Sequence, residues 1–375
     1  VQLPTPVLGK FPPDANFYEE RHNGPMAIND KMPPLGPLEV FFRDEGITEI
    51  MVNDTRNVYI EKDGRCMSGG VRIQDPDALA GLARGMAEAA GRYLTLDQPY
   101  ADFALPDGSR VNIVMPPLVT GPAITIRRFP KRRPTIDDLM KNRTLDQKLA
   151  YFLNVCIVGR VNVLISGGTG SGKTTLLNIF TQFIPKNERI VTIEDTPEIV
   201  VPHENSVKMQ TRFTQNANQN INSRELLSNA LRMRPDRIIL GECRRGEALD
   251  MLQAMNTGHE GSMTTIHANS PREALYRLET LVLMGGVELP LSVVRKHIAS
   301  SIDLIIQVKR FRSGMRKITQ VCEVTGMEQD TILLQDLFMM DETNLETVAQ
   351  STGFVPKFLP QLQERGINIE NDYFA

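Results

Sequence analysis

Apolar positions along the chain first lack any period, then alternate, then gather into short unbroken runs, and these three regimes predict three kinds of structure. Residues 1–37 hold eight prolines and no hydrophobic repeat, which predicts a Pro-rich arm or linker without a core of its own. From residue 38, ITEIMVND and NVYIEKDG read as two strands, and DPDALAGLARGMAEAAGR as a helix starting with Asp75 before Pro76. In ADFALPDGSRVNIVM a PDGS turn separates two strand-like runs, and AITIRRF supplies a third. Residues 38–130 are therefore expected to form a small α+β domain. RRFPKRRP, with prolines among arginines, marks a basic linker over 131–145.

Beyond it the pattern changes to α/β alternation. VNVLIS, RIVTIE, RIILGE and SMTTIHA are short apolar runs, separated by helical stretches such as SRELLSNALRM and GEALDMLQAM. Buried, mainly parallel strands with crossover helices are expected over residues 146–325. Residues 326–375 carry nine acidic and two basic side chains and are expected to be an acidic appendage, with FLPQLQERG as a helix that docks on the domain before it.

Composition narrows the functional classes. With 42 basic against 45 acidic side chains and a formal charge of -3, the chain lacks the basic excess of a dedicated nucleic-acid binder, although RRFPKRR could form a local patch. Cys66, Cys156, Cys243 and Cys322 lie far apart without a C-x-x-C pair, as expected of reduced, intracellular thiols. The uncharged run near 111–126 is broken by Pro116, Pro117 and Pro122 and is too short to span a bilayer. No signal peptide is visible, a start at Val1 points to a missing or processed beginning, and the expected location is the cytosol.

The chemistry centres on GGTGSGKT, residues 167–174. Gly167, four residues, Gly172, Lys173 and Thr174 match a phosphate-binding loop, in which Gly167, Gly168, Thr169, Gly170, Ser171 and Gly172 let backbone N–H groups turn toward phosphate oxygens. Lys173 is expected to reach the β- and γ-phosphates and Thr174 to ligate Mg²⁺, with Thr175 following at the start of the helix. The strand before the motif and the helix after it are the context it requires.

Two acidic positions compete for the remaining work. Glu242 ends the strand RIILGE, where it could take a proton from an attacking water, while Gly241 stands where an aspartate is usual. Glu194 and Asp195 end RIVTIE; because neighbouring strand residues point to opposite faces, Glu194 is expected to aim at the site as a second Mg²⁺ ligand and Asp195 to cap the next turn. His267 is a candidate γ-phosphate sensor and His259 its neighbour, each with a satisfied core histidine as the alternative; their spacing does not make a zinc motif. Arg212, Arg224, Arg232 and Arg234 lie between the acidic strand ends, and Arg127 and Arg128 close the first domain, so an arginine finger could come from any of them.

Together these segments resemble the secretion-ATPase superfamily of type II and type IV secretion and type IV pili. GGTGSGKT is similar to its Walker A loop, IVTIEDTPEI to its aspartate box, LRMRPDRIILGE to its Walker B region and TGHEGSMTTIHANS to its histidine box, in the family's order. DFALPDGSRVNIVMPPL, AITIRRF, LETLVLMGG and TGFVPKFLPQL look most like the CpaF-like or TadA-like ATPases of Tad (Flp) pili. The resemblance implies a RecA-like P-loop domain behind a smaller N-terminal domain, a homohexameric ring, and nucleotide between the two domains. It also implies phosphate contacts from Arg127 or Arg128 and from Arg232, and water activation by Glu242. A tetracysteine segment typical of the type II secretion and pilus-extension branch is missing. ATP and Mg²⁺ are the implied cofactors, and a platform protein at the cytoplasmic face of the inner membrane the implied partner. A conjugative or type IV secretion ATPase, a nucleic-acid motor and a small-molecule kinase remain as alternatives.

Overall fold

The computed structural model describes residues 32–62, 64–129, 134–212 and 219–375, and the chain divides near residue 134 into two compact units. Most of the expected arm and residues 130–133 of RRFPKRRP lie outside the described residues. Leu35 and Leu38, however, are buried in the core of the first unit, so the end of that arm belongs to a folded body.

In the first unit α1 (Glu39–Phe42) precedes β1 (Ile47–Val52), β2 (Val58–Lys62) and β3 (Arg65–Ser68). α2 (Pro76–Ala89), β4 (Tyr100–Ala104), β5 (Arg110–Val114) and β6 (Ala123–Arg127) follow. The strands form one antiparallel sheet in the order β3-β2-β1-β6-β5-β4. α2 begins where expected: the Asp75 carboxylate accepts the Ala78 N–H at 2.8 Å and Pro76 occupies the first helical turn, where its missing N–H costs nothing. Leu79, Ala83, Met86 and Ala87 recur at helical spacing and are the buried face of that helix. The β4–β5 turn is set by Gly108 at φ +85° and by Asp107, which accepts the Ser109 N–H.

The second unit opens with α3 (Ile136–Lys141), capped by Thr135 within the segment expected to be linker, and α4 (Gln147–Val158). The α/β alternation follows: β7 (Val163–Gly167), α5 (Lys173–Phe183), β8 (Ile190–Glu194), β9 (Ser206–Gln210), α6 (Ser223–Ala230), β10 (Arg237–Leu240), α7 (Glu247–Asn256), β11 (Met263–Ile266), α8 (Pro271–Met284) and α9 (Leu291–Ser301). Next come β12 (Leu304–Arg310), β13 (Arg316–Glu328), β14 (Thr331–Met339), β15 (Gln350–Ser351) and α10 (Leu359–Glu364). The sheet order is β15-β14-β13-β12-β7-β11-β10-β8-β9; β12 through β9 are parallel, and β13 to β15 add antiparallel strands at one edge.

Every residue of β7 is buried, because both faces are covered. Val163 and Ile165 join the core shared with α4 and α5, whereas Leu164 between them joins the core shared with α6 to α9.

The acidic tail is the main departure from expectation. The boundary expected at 326 falls inside β13, and Phe338, Phe358, Leu362 and Phe374 lie in the same core as α4 and α5. Apart from the part-buried Asp336, its acidic side chains sit at the surface, where Glu342 pairs with Lys309 and Glu346 with Arg143. Net charge described the outside of this segment and said nothing of its apolar inside.

Candidate functional site

β7 ends at Gly167 and α5 begins at Lys173, so residues 168–172 turn a buried strand into a helix start. Gly167 is required by space: a Cβ there would meet the Val308 carbonyl oxygen at 2.4 Å. Gly172 is required by backbone conformation, with φ +102°. No side chain caps the N-terminus of α5, and the Ser171 hydroxyl is buried without a partner. An uncapped helix start beneath a glycine loop fits a polyphosphate, whose oxygens would satisfy those N–H groups. Thr174 and Thr175 lie in the first turn of α5, after Lys173.

Lys173 is buried, and its Nζ donates to the carbonyls of Gly167 and Gly168, both at 2.9 Å. Burial pushes its pKa down to about 8, against the pull of Glu242 and with help from the nearby Arg244. Nζ also lies 3.3 Å from His267 Nδ1. An ammonium can only donate, so Nδ1 accepts and the ring proton sits on Nε2, which is 2.8 Å from Glu242 Oε1. Burial and then Lys173 lower the His267 pKa while Glu242 raises it, which favours this neutral tautomer.

The other oxygen of Glu242 is held as well. Oε2 accepts from Arg244 Nε at 2.9 Å and from Nη2 at 2.8 Å. Arg244 Nη1 lies 3.3 Å from Asp195 Oδ2, and Asp195 Oδ1 accepts from the Thr211 hydroxyl at 3.1 Å. Lys173, His267, Glu242, Arg244 and Asp195 thus form one line at the carboxyl ends of β7, β11, β10 and β8, which are consecutive in the sheet. Open α/β sheets bind ligands at that edge.

The two acids after β8 have partners opposite to those expected. Glu194 Oε1 accepts the N–H groups of Glu198 and Ile199, each at 2.9 Å, so Glu194 caps the turn and Asp195 reaches the line of charges. Burial pushes the Glu194 pKa up to about 7 despite those two hydrogen bonds. Its side chain passes over Gly241, where a Cβ would stand 3.2 Å from Glu194 Cγ.

The arginines disperse. Arg128 is buried and donates to the carbonyls of Phe41 at 2.8 Å and Phe42 at 3.1 Å, and to those of Asp44 and Ile47, tying α1 to β6. Arg127 pairs with Glu49 at 2.9 Å. Arg224 joins Asp250 at 2.9 Å and the Gly285 carbonyl at 3.0 Å, linking α6 to α7. Arg212 donates to the Gln219 carbonyl, and Arg232 and Arg234 are exposed around a short turn after α6. The hydrogen bonds and ion pairs of the described residues do not join Arg212 or Arg232 to the Lys173 line. His259 lies apart from it, with Nδ1 buried and unpartnered and its carbonyl accepting from Ser262.

Three arginines escaped the sequence reading. Arg244 carried a signal, standing two residues after Glu242. Arg316 and Arg310 did not: they come from the β12–β13 hairpin, where Arg316 Nε donates to the Gly170 carbonyl at 2.9 Å and Arg310 Nη1 lies 3.0 Å from where a Gly170 Cβ would be.

Comparison with known proteins shows the family. Residues 33–353 match the family model described as Type II/IV secretion system protein. The conjugal transfer protein TrbB of Rhizobium radiobacter is 36% identical over 307 residues, covering 80% of this chain and 91% of TrbB. The type IV secretion system protein VirB11 of Bartonella henselae is 34% identical over 328 residues, covering 76% of this chain and 91% of VirB11. The crystal structure of the pilus retraction motor PilT with bound ADP superposes with a TM-score of 0.55 at 21% identity, covering 88% of this chain and 86% of PilT, a likeness of fold. The chain therefore belongs to the type II/IV secretion system protein family.

Proposed function

We propose that this chain hydrolyses ATP as a homohexameric motor at the cytoplasmic face of the inner membrane, and that its work is the assembly of Tad (Flp) pili through an inner-membrane platform protein. The observation that carries the hydrolysis reading is the line from Lys173 through His267 to Glu242 beside an uncapped helix start. Glu242 Oε1 is the general base, accepting the proton of a water that attacks the γ-phosphate. Lys173 exchanges the Gly167 and Gly168 carbonyls for phosphate oxygens, and His267, once Lys173 leaves Nδ1, senses the γ-phosphate by taking up a proton there, because only an N–H can donate to a phosphate oxygen. Mg²⁺ needs one or two protein oxygens beside phosphate and water. We assign these to the Thr174 hydroxyl and to Glu194, both of whose turn-capping bonds fall on Oε1. Bound there, the ion would neutralise charge on the phosphates. Arg127, Arg128, Arg212 and Arg232 are the proposed sources of further phosphate contacts, which for Arg128 would require leaving its carbonyls.

The Tad reading draws support from DFALPDGSRVNIVMPPL, AITIRRF, LETLVLMGG and TGFVPKFLPQL. Conjugal or type IV secretion traffic is the second reading, favoured by the names of TrbB and VirB11. Among the described residues no helix is long and apolar enough to cross a membrane. The test has two stages. Phosphate release from ATP by the purified chain should vanish in Lys173→Ala; transfer of phosphate to a small acceptor instead would replace the motor with a kinase. A deletion strain should then lose surface pili and keep plasmid transfer. Loss of transfer with pili intact would favour conjugation, and DNA raising turnover severalfold would favour a nucleic-acid motor.

A further inference from the structure

We propose that Arg244 is a positioning residue for Glu242, anchored in turn by Asp195; this rests on the hydrolysis reading above. Glu242 has two cations within its surroundings, Lys173 and Arg244, which both act on the same carboxylate. Left to itself, the carboxylate would be drawn toward Lys173, neutralising both the base and the phosphate ligand. Arg244 opposes that collapse. Its Nε and Nη2 grip Oε2 at 2.9 and 2.8 Å, leaving Oε1 toward His267 and the position of a water.

The grip is held from both ends. Asp195, from the neighbouring strand, takes Nη1 of Arg244 at 3.3 Å and is itself fixed by Thr211. The backbone that carries Arg244 is clamped by buried Glu247, whose Oε1 accepts the N–H of Arg244 at 2.6 Å and of Arg245 at 2.8 Å. A planar fork between two carboxylates sets direction as well as charge, which an ammonium cannot do. The groups facing this line are Lys173, His267, Asp195 and, at longer range, Glu198 and Arg277.

The test is steady-state ATP turnover by the full chain, read as kcat and KM separately. A base misplaced by about 1 Å loses rate on the order of 100-fold, so Arg244→Ala should lower kcat by about 10- to 100-fold and leave KM within about threefold. Arg244→Lys, which keeps the charge without the fork, should restore only part of kcat. Adding Asp195→Asn to Arg244→Ala should cost nothing further, since the anchor acts through the arginine. A raised KM with kcat kept would make Arg244 a nucleotide ligand; a raised kcat would make it a brake; either overturns the proposal, as does a fully additive double variant. Glu242→Gln separates the two levels: if it is inactive while Arg244→Ala turns over normally, only the positioning role fails, whereas an active Glu242→Gln removes the base itself.

Discussion

Replacing Phe374 by alanine tests how deeply the C-terminal segment is built into the second unit. The ring is fully buried, stands edge-on to Phe152 at 5.7 Å and to Tyr373 at 5.2 Å, and shares one apolar core with Leu176, Leu177 and Phe180 of α5. Truncating a buried phenylalanine costs about 3–5 kcal/mol, from lost transfer energy and the cavity left behind. In a unit of this size each kcal/mol lowers the melting temperature by roughly 2–4 °C, so the expected loss is about 6–20 °C. Phe354, in the same segment but 52% exposed, is the control, and its alanine variant should stay within about 2 °C. The assay is thermal unfolding by circular dichroism at one protein concentration, with and without ATP. Because α5 carries Lys173 on the same core, ATP should raise both melting temperatures yet leave the gap between them. A shift below about 2 °C for Phe374→Ala would mean that the segment is a detachable appendage after all.

Three further outcomes are expected. Burial raises the Glu194 pKa from its ordinary 4.5 to about 7, so the folded state prefers it protonated; that stability is present below pH 4.5 and is lost as pH rises through about 7. Glu194→Gln should therefore gain on the wild type between pH 5 and 8, by up to about 3 kcal/mol in urea unfolding, and a gap that does not change with pH would refute the assignment. Lys173, lowered to about 8, should lose its charge above that pH, so ATP affinity measured by calorimetry should fall by up to about tenfold per pH unit beyond it; constant affinity from pH 7 to 9.5 would contradict the burial argument. Gly261→Ala should destabilise by about 2 kcal/mol or more in thermal unfolding, because residue 261 has φ +82° and its Cβ would stand 2.6 Å from Arg237 Nη1 and 2.9 Å from Arg160 Cα; a neutral variant would show that the buried Arg237–Glu188 pair can move aside.

What was legible in the sequence was local. The helix cap at Asp75, the hairpin around Gly108 and the strand–glycine loop–helix at 163–183 each declare themselves within a few residues, and the structure has all three. The β12–β15 edge was not legible. β13 is buried on both faces through much of its length, so it lacks alternation, and Asp336, which reads as a surface charge, sits among Gln320 and Cys322 as their hydrogen-bond acceptor. Arg128 was unreadable for a different reason. Its sequence neighbours make it look like part of a phosphate-seeking cluster, but its partners are carbonyls of residues 41–47, brought there only by the antiparallel pairing of β1 with β6.

The glycine at 241 joins the two kinds of information. From the sequence it was a missing aspartate, and the metal had to be served from elsewhere. In the structure the volume that a side chain at 241 would need is taken by the Glu194 side chain arriving from the next strand, with 3.2 Å between Glu194 Cγ and the position of a Cβ. β8 and β10 are parallel neighbours with Ile193 paired to Leu240, so Glu194 and Gly241 are successive residues of one register and cannot both project a carboxylate into that space. Keeping glycine on β10 lets the acid come from β8, where the N–H groups of Glu198 and Ile199 hold it at a depth that raises its pKa to about 7. An acid so balanced changes protonation with small changes in nearby charge, whereas Glu242 is gripped by the Arg244 guanidinium, two residues further along the chain. The same sheet edge thus holds two carboxylates in different surroundings, one buried on backbone N–H groups and one gripped by a guanidinium, and the proposed hydrolysis rests on that difference more than on the glycine loop.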